Sequence, residues 1–204
     1  MRADPASAAD RADSEKEKIL NVPNLISFYR LANFPVLIWM AATGREHLFA
    51  IFFSINLVSD ILDGLITRAF KLATRFGARL DSLADMSTYL TAFSGIYYFK
   101  WPDLRDHAVL LFTAIVFYLG TYAVSYLRFG KFPSLHLYSC KIGAYLQGFF
   151  FFALFVWGFH LWLFRVALIW GIASWIEEVA VLLLQKESGS DARGLYWVLK
   201  SKGA

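Results

Sequence analysis

The chain has 204 residues, 58% of them hydrophobic and 18% aromatic, with a mean hydropathy of +0.48. Much of that apolar content falls in blocks long enough to span lipid, which is the composition of an integral membrane protein. The formal charge of +4 is modest and its basic residues lie between the apolar blocks rather than in one stripe, which excludes a nucleic-acid surface and favours anionic headgroups and phosphates.

Residues 1–14 are rich in Ala, Asp, Arg and Ser, have no apolar periodicity and lack the apolar region of a secretory signal. Ser14 with Glu17 three residues later forms a capping box, which predicts a short helix lying along the membrane surface until Pro23. Apolar blocks then follow at 24–42, 47–69, 78–101, 108–127, 137–159 and 161–184, each near or above the roughly 20 residues a crossing helix needs. The expected fold is an all-α integral membrane protein with six transmembrane helices and a short N-terminal juxtamembrane helix. Residues 1–20 are its tail and juxtamembrane segment, 21–186 its six-helix domain and 187–204 a C-terminal tail.

The first block carries Pro35 and an intramembrane Arg30, and a charge at that depth points to function unless its long stem snorkels to the interface. Six spans put both termini on one side. With that side cytoplasmic, it holds Arg2, Arg11, Lys16, Lys18, Arg68, Lys71, Arg75, Arg79, Arg128, Lys131, Lys186, Arg193, Lys200 and Lys202, against Arg45, Lys100 and Arg105 opposite. Trp101, Trp157 and Trp162 fall near the other interface as an aromatic belt. The run 149–152, four phenylalanines, reads as a lipid-facing or packing surface, and Cys140, the single cysteine, as a small helix residue that excludes a disulfide framework. His47, His107, His136 and His160 lie near helix ends, where interfacial anchoring suits them, and no pair has metal-ligand spacing on one helix.

The chemistry is concentrated in residues 60–85, DILDGLITRAFKLATRFGARLDSLAD. Residues three and four apart share a helix face, so Asp60 and Asp63 project together from the end of the second span, and Asp81 and Asp85 from the start of the third. The basic stretch between them folds the second pair back toward the first. Four converging carboxylates in a membrane protein repel one another and lose hydration unless one or two divalent cations sit among them. Pairing with Arg68, Arg75 and Arg79 accounts for two of the acids but not for four at this spacing.

The pattern D-x-x-D-G-x-x-A-R-x8-G-x3-D-x3-D resembles the signature of the CDP-alcohol phosphotransferases, the class I CDP-alcohol phosphatidyltransferases. It is matched at every fixed position but one, Thr67 standing where Ala is usual. The resemblance implies transfer of a phosphatidyl group from a CDP-alcohol such as CDP-diacylglycerol to an acceptor hydroxyl, with release of CMP, by a homodimeric enzyme of the bacterial inner membrane whose active site and termini are cytoplasmic. It further implies that Asp60, Asp63, Asp81 and Asp85 form the site of Mg²⁺ or Mn²⁺, two ions in all, with Asp85 beside the metals also acting as general base. Ser59, Gly64, Thr67, Arg68 and Gly77 then meet the nucleotide and diphosphate: the glycines allow close approach and Arg68 offers a planar fork to phosphate oxygens.

Two further stretches bear on the acceptor. NVPNLISFYR, residues 21–30, is similar to the opening of phosphatidylglycerophosphate synthases, with Ser27 where a Thr recurs. Residues 140–147 resemble a Lys-to-Gln segment of phosphatidylglycerophosphate and cardiolipin synthases, keeping Lys141 and Gln147 but carrying Ala144 where Thr is usual. Arg30, Arg128 and Lys141 are thus the expected acceptor-binding cations, and a small phosphorylated polyol, glycerol 3-phosphate first, the expected acceptor. Inositol phosphate, serine, choline or a second phosphatidyl lipid are alternatives within the same chemistry. Glu177 and Glu178 are expected to pair with one of these cations. A different class, a cation- or proton-coupled transporter, also uses intramembrane carboxylates, but its sites sit near the midplane between internal repeats, and this chain has its acids at one interface and no repeat.

Overall fold

The structure, a computed structural model, describes residues 21–70, 72, 74–130, 137–185 and 194–202. Among these there is no strand. The long helices are α1 (Val22–Ala42), α2 (Glu46–Phe70), α3 (Arg75–Gly95), α4 (Ala108–Phe129), α5 (Tyr138–Val156) and α6 (Leu161–Leu184), followed by the short α7 (Leu195–Lys202). They match the six expected spans. Between α3 and α4 the chain stays helical, through a π turn at Ile96–Lys100, a single α turn at Trp101–Leu104 and a 3₁₀ turn at Arg105–His107. The runs long and apolar enough to cross a membrane are therefore five, the third of them, Phe76–Phe129, being 54 residues long and containing both α3 and α4. The expected N-terminal tail and juxtamembrane helix lie outside the described residues, as does His136.

By its contacts the chain divides between Trp101 and Pro102 into two compact units. In the first, α1 packs along both α2 and α3. Asn21 opens α1, its side chain accepting from the Asn24 backbone N–H at 2.9 Å, and Pro23 stands in the first turn, where a missing N–H is harmless. The turn into α2 needs a left-handed residue, which Gly44 supplies at φ 71°. At this end the packing is apolar: Leu37, Met40 and Ala41 of α1 are buried with Phe49 and Phe53, and Phe49 stacks on Phe53 (5.6 Å) and meets Phe99 edge-on (5.4 Å). One turn toward the other end, Asn33 and Asn56 are both buried and joined at 3.0 Å, so α1 and α2 change from an apolar to a polar seam along their length.

In the second unit, α6 packs against α4, α5 and α7. Glycines set the closeness of α5 and α6: a Cβ at Gly171 would run into the Gln147 carboxamide, and one at Gly143 would lie 3.3 Å from the Trp170 ring. The phenylalanine run divides as helical periodicity requires, Phe150 and Phe151 buried and Phe149 exposed. Part of the expected C-terminal tail is the helix α7, whose Leu195 and Val198 pack against the buried Leu137 and Val181. Its first free N–H, that of Leu195, is satisfied by the Glu177 carboxylate at 2.8 Å.

Candidate functional site: a carboxylate cluster around one guanidinium

Three helices of the first unit build the site. From α1, Ser27 and Arg30 lie on one face, three residues apart; from α2 come Asp60 and Asp63; from α3 come Asp81 and Asp85. Thr74 caps α3 by accepting from the Gly77 N–H at 2.9 Å. Gly77 itself sits against α1, where a Cβ would collide with the Asn24 side chain and stand 2.9 Å from Thr74 Oγ1. That absent side chain lets the start of α3 close on the start of α1, and so brings the α3 aspartates to the α2 pair.

The convergence expected from sequence is present, with a division of labour within it. Carboxylate oxygens of Asp60, Asp81 and Asp85 lie within 4.8 Å of one another. Arg30 stands beneath all three: Nη1 meets Asp60 at 2.5 Å and Asp81 at 3.3 Å, and Nη2 meets Asp85 at 2.8 Å. Nη2 also donates to Thr88 Oγ1 at 3.2 Å, whose hydroxyl in turn donates to the Ala84 carbonyl at 3.0 Å. The guanidinium is 1% exposed whereas the Asp60, Asp81 and Asp85 side chains keep 43%, 48% and 44% of their surface. The cation is thus the buried floor and the anions form an open rim. One positive charge set against three negative ones leaves a surplus of anionic charge, directed outward.

Asp63 is treated differently. It is 5% exposed, and its two oxygens accept from two hydroxyls, Oδ2 from Ser27 at 2.7 Å and Oδ1 from Thr67 at 3.2 Å. The donor set of the four acids is all oxygen, three of them share a small volume, and the rim is accessible, which fits a hard divalent cation.

The other residues singled out in the sequence fall as follows. Arg30, expected on the acceptor phosphate, makes its contacts with the aspartates instead, and among the described residues it is their cation partner, in place of Arg68 or Arg79. Arg68 is exposed and folds back so that Nε donates to the Gly64 carbonyl at 2.8 Å. Gly64 has only that Arg68 side chain within 4 Å of where its Cβ would be, at 3.7 Å, so helix packing explains Gly77 and not Gly64. Ser59 donates to the Asn56 carbonyl of its own helix at 2.8 Å. Arg128 and Lys141 belong to the second unit and are both exposed. Arg128 donates to the Gln185 carbonyl at 3.1 Å, and the Lys141 ammonium lies 5.8 Å from the Tyr138 ring.

Glu177 and Glu178 depart from expectation. Among the described residues they meet no cation: Glu177 accepts from the Leu195 N–H at 2.8 Å and the buried Glu178 from the Cys140 thiol at 3.6 Å. An α7 cap and a thiol take the places foreseen for Lys or Arg. Sequence reasoning missed Thr88 altogether, although it lies three residues beyond Asp85 on the same helical face.

A helical membrane protein with four acids at the junction of two helices defines the class; comparison with known proteins gives the family. The family model described as CDP-alcohol phosphatidyltransferase matches residues 20–182, and the chain belongs to that family. A curated relative from rice (Oryza sativa subsp. japonica), CDP-diacylglycerol–glycerol-3-phosphate 3-phosphatidyltransferase 1, chloroplastic, is 37% identical over 40% of this chain and 25% of its own length. A CDP-diacylglycerol–glycerol-3-phosphate 3-phosphatidyltransferase of Pectobacterium atrosepticum is 33% identical over 47% of this chain and 56% of its own. A cardiolipin synthase (CMP-forming) / mitochondrial hydrolase fusion protein of Schizosaccharomyces pombe is 31% identical over 58% of this chain and 20% of its own. The matched stretches thus cover from a fifth to just over half of these relatives' lengths. No solved structure matches.

Proposed function

We propose that the protein transfers the phosphatidyl group of CDP-diacylglycerol to a hydroxyl of glycerol 3-phosphate and releases CMP. The observation that carries this reading is the open rim of Asp60, Asp81 and Asp85 above the buried Arg30, in a chain of the CDP-alcohol phosphatidyltransferase family. Two relatives whose names specify CDP-diacylglycerol and glycerol 3-phosphate support the choice of substrates.

In this reaction the acceptor oxygen forms a bond to the phosphatidyl phosphorus as the bond from that phosphorus to the CMP oxygen breaks. CMP leaves with the electron pair, and the acceptor proton must be taken up. Asp60, Asp63, Asp81 and Asp85 would hold Mg²⁺ or Mn²⁺, which when bound neutralises the diphosphate and the departing oxygen. Asp85, on the open rim, takes the acceptor proton, and its part rests on proximity to the attacking hydroxyl. Arg30 fixes Asp60, Asp81 and Asp85 relative to one another, so the rim is organised before substrate arrives. Gly64, with no neighbour that requires its small size, leaves room for the nucleotide, and the exposed Arg68 offers donors to the diphosphate, with Ser59 and Thr67 near it in sequence but donating within the protein. Arg128 and Lys141 supply positive charge for the acceptor phosphate. The positive-inside asymmetry supports an inner-membrane enzyme with its site and termini cytoplasmic, where CDP-lipid headgroups meet soluble acceptors. Homodimerisation rests on family resemblance alone.

A second acceptor is favoured by the relative named as a cardiolipin synthase: a second phosphatidyl lipid in place of glycerol 3-phosphate. Offering each acceptor in turn to the purified protein with CDP-diacylglycerol separates the two. CMP release that requires glycerol 3-phosphate supports the reading; release that requires phosphatidylglycerol transfers it to the second acceptor; uptake of cations without CMP release would return it to a transporter.

A further inference from the structure

Asp63 differs from the other three acids in both burial and partners. Asp60, Asp81 and Asp85 are nearly half exposed and share one guanidinium, whereas Asp63 is 5% exposed and meets two neutral hydroxyls from two helices. The Ser27 hydroxyl comes from α1, is itself 2% exposed, and donates to Asp63 Oδ2 at 2.7 Å, an ordinary length for a hydroxyl on an oxygen acceptor. The Thr67 hydroxyl comes from α2, one turn beyond Asp63, and reaches the other oxygen at 3.2 Å.

The Thr67 arrangement is not the default for a helical hydroxyl. Ser54, Thr91, Thr113 and Thr121 each donate back to the carbonyl four residues earlier, at 2.7 to 3.0 Å. Thr67 donates instead to the side chain of the residue four earlier, Asp63. Its methyl stiffens χ1, so the hydroxyl direction is held. Each oxygen of Asp63 therefore has one donor, and among the described residues the carboxylate is held from α1 and from the next turn of α2 without a countercharge. A guanidinium would neutralise the carboxylate it orients; hydroxyls orient it and leave the charge for a bound cation, with further lone pairs on each oxygen still free to ligate.

We propose that Ser27 and Thr67 are positioning residues, a two-hydroxyl clamp that aims Asp63 at the metal while leaving its charge intact. This rests on the reading of Asp63 as a metal ligand. It also gives a physical role to Thr67, whose hydroxyl is absent from the Ala usual at that position, while Ser27 keeps the hydroxyl of the Thr that recurs there.

The test is Mn²⁺ affinity, measured by the loss of the free-ion electron paramagnetic resonance signal on the purified full-length protein, with the thermal unfolding midpoint in chelator as a folding control. Ser27→Ala and Thr67→Val should each weaken Mn²⁺ binding by about 10- to 100-fold, the effect of removing a partner that orients a metal ligand. Thr67→Ser, which keeps the hydroxyl, should bind Mn²⁺ within a few-fold of the native protein. Thr67→Ala repeats the test should the Val variant not fold. In the double variant Ser27→Ala, Thr67→Val the loss should fall short of the product of the single losses, because both act on one group. Native Mn²⁺ affinity in the hydroxyl variants, alongside weakened binding in Asp63→Asn, would overturn the clamp and leave Asp63 a ligand. Native affinity in Asp63→Asn would overturn the ligand reading and the clamp with it.

Discussion

Arg30 and Asp85 are joined at 2.8 Å between α1 and α3, with the guanidinium 1% exposed and the carboxylate side chain 44% exposed. The inequality fixes their roles: the buried partner is structural and the open one is available to ligands. Arg30→Ala should therefore lower stability as well as turnover. Breaking a buried pair is worth roughly 3 to 5 kcal/mol, and the half-exposed carboxylates reduce this to about 1 to 3 kcal/mol. Arg30→Lys should recover only part of either, because one ammonium cannot span three carboxylates. Thermal unfolding in detergent and CMP release check the two effects, and a stable Arg30→Ala protein with native turnover would contradict the assignment.

Gly77→Ala and Gly64→Ala should separate cleanly. The first drives a methyl into Asn24 and Thr74 and should destabilise by roughly 1 to 3 kcal/mol. The second meets only the Arg68 side chain at 3.7 Å and should leave stability unchanged or raise it by up to about 1 kcal/mol, while raising KM for the CDP-alcohol. A Gly64→Ala protein with native KM would remove Gly64 from the nucleotide site.

How much of this was legible in the sequence follows from which interactions are local. The helices, the pairing of Asp60 with Asp63 and of Asp81 with Asp85, and the need for both to meet follow from spacing within 26 residues. The partner of the cluster did not. Arg30 lies 30 residues before Asp60, and whether its guanidinium faces acceptor phosphate or carboxylates depends on how α1 packs, which a hydropathy pattern leaves open. For the same reason the expected cation partner of Glu178 gives way, among the described residues, to Cys140 on a neighbouring helix, and the pattern does not show Glu177 as the cap of a helix in the expected tail.

Asp85→Asn should lower kcat more than it weakens CDP-diacylglycerol binding, since a base is needed only when the hydroxyl attacks. Asp60→Asn and Asp81→Asn should lower both kcat and metal affinity. Equal loss of binding and turnover in Asp85→Asn would make Asp85 chiefly a metal ligand.

Lys141→Ala should raise KM for glycerol 3-phosphate by about 10- to 100-fold, or about 1 to 3 kcal/mol for a charge-assisted contact, and leave the affinity for CDP-diacylglycerol unchanged. A silent substitution would remove Lys141 from the acceptor site without touching the aspartates.

Orientation is tested by single cysteines in a Cys140→Ser background. A cysteine in place of Arg75 should label only with reagent on the cytoplasmic side and one in place of Arg105 only from outside; the reverse pattern would invert the protein and separate its aspartates from cytosolic acceptors.

The most direct test of the proposed reaction follows CDP-diacylglycerol and glycerol 3-phosphate by ³¹P NMR with the purified protein and Mg²⁺. CMP and the phosphatidyl product should appear in equal amounts, only when acceptor is present, and Asp81→Asn should lower the rate by on the order of a thousandfold or more, about 4 kcal/mol of transition-state stabilisation. Native turnover by Asp81→Asn, or CMP release that is indifferent to acceptor, would contradict a phosphatidyl transfer carried out at the aspartate rim.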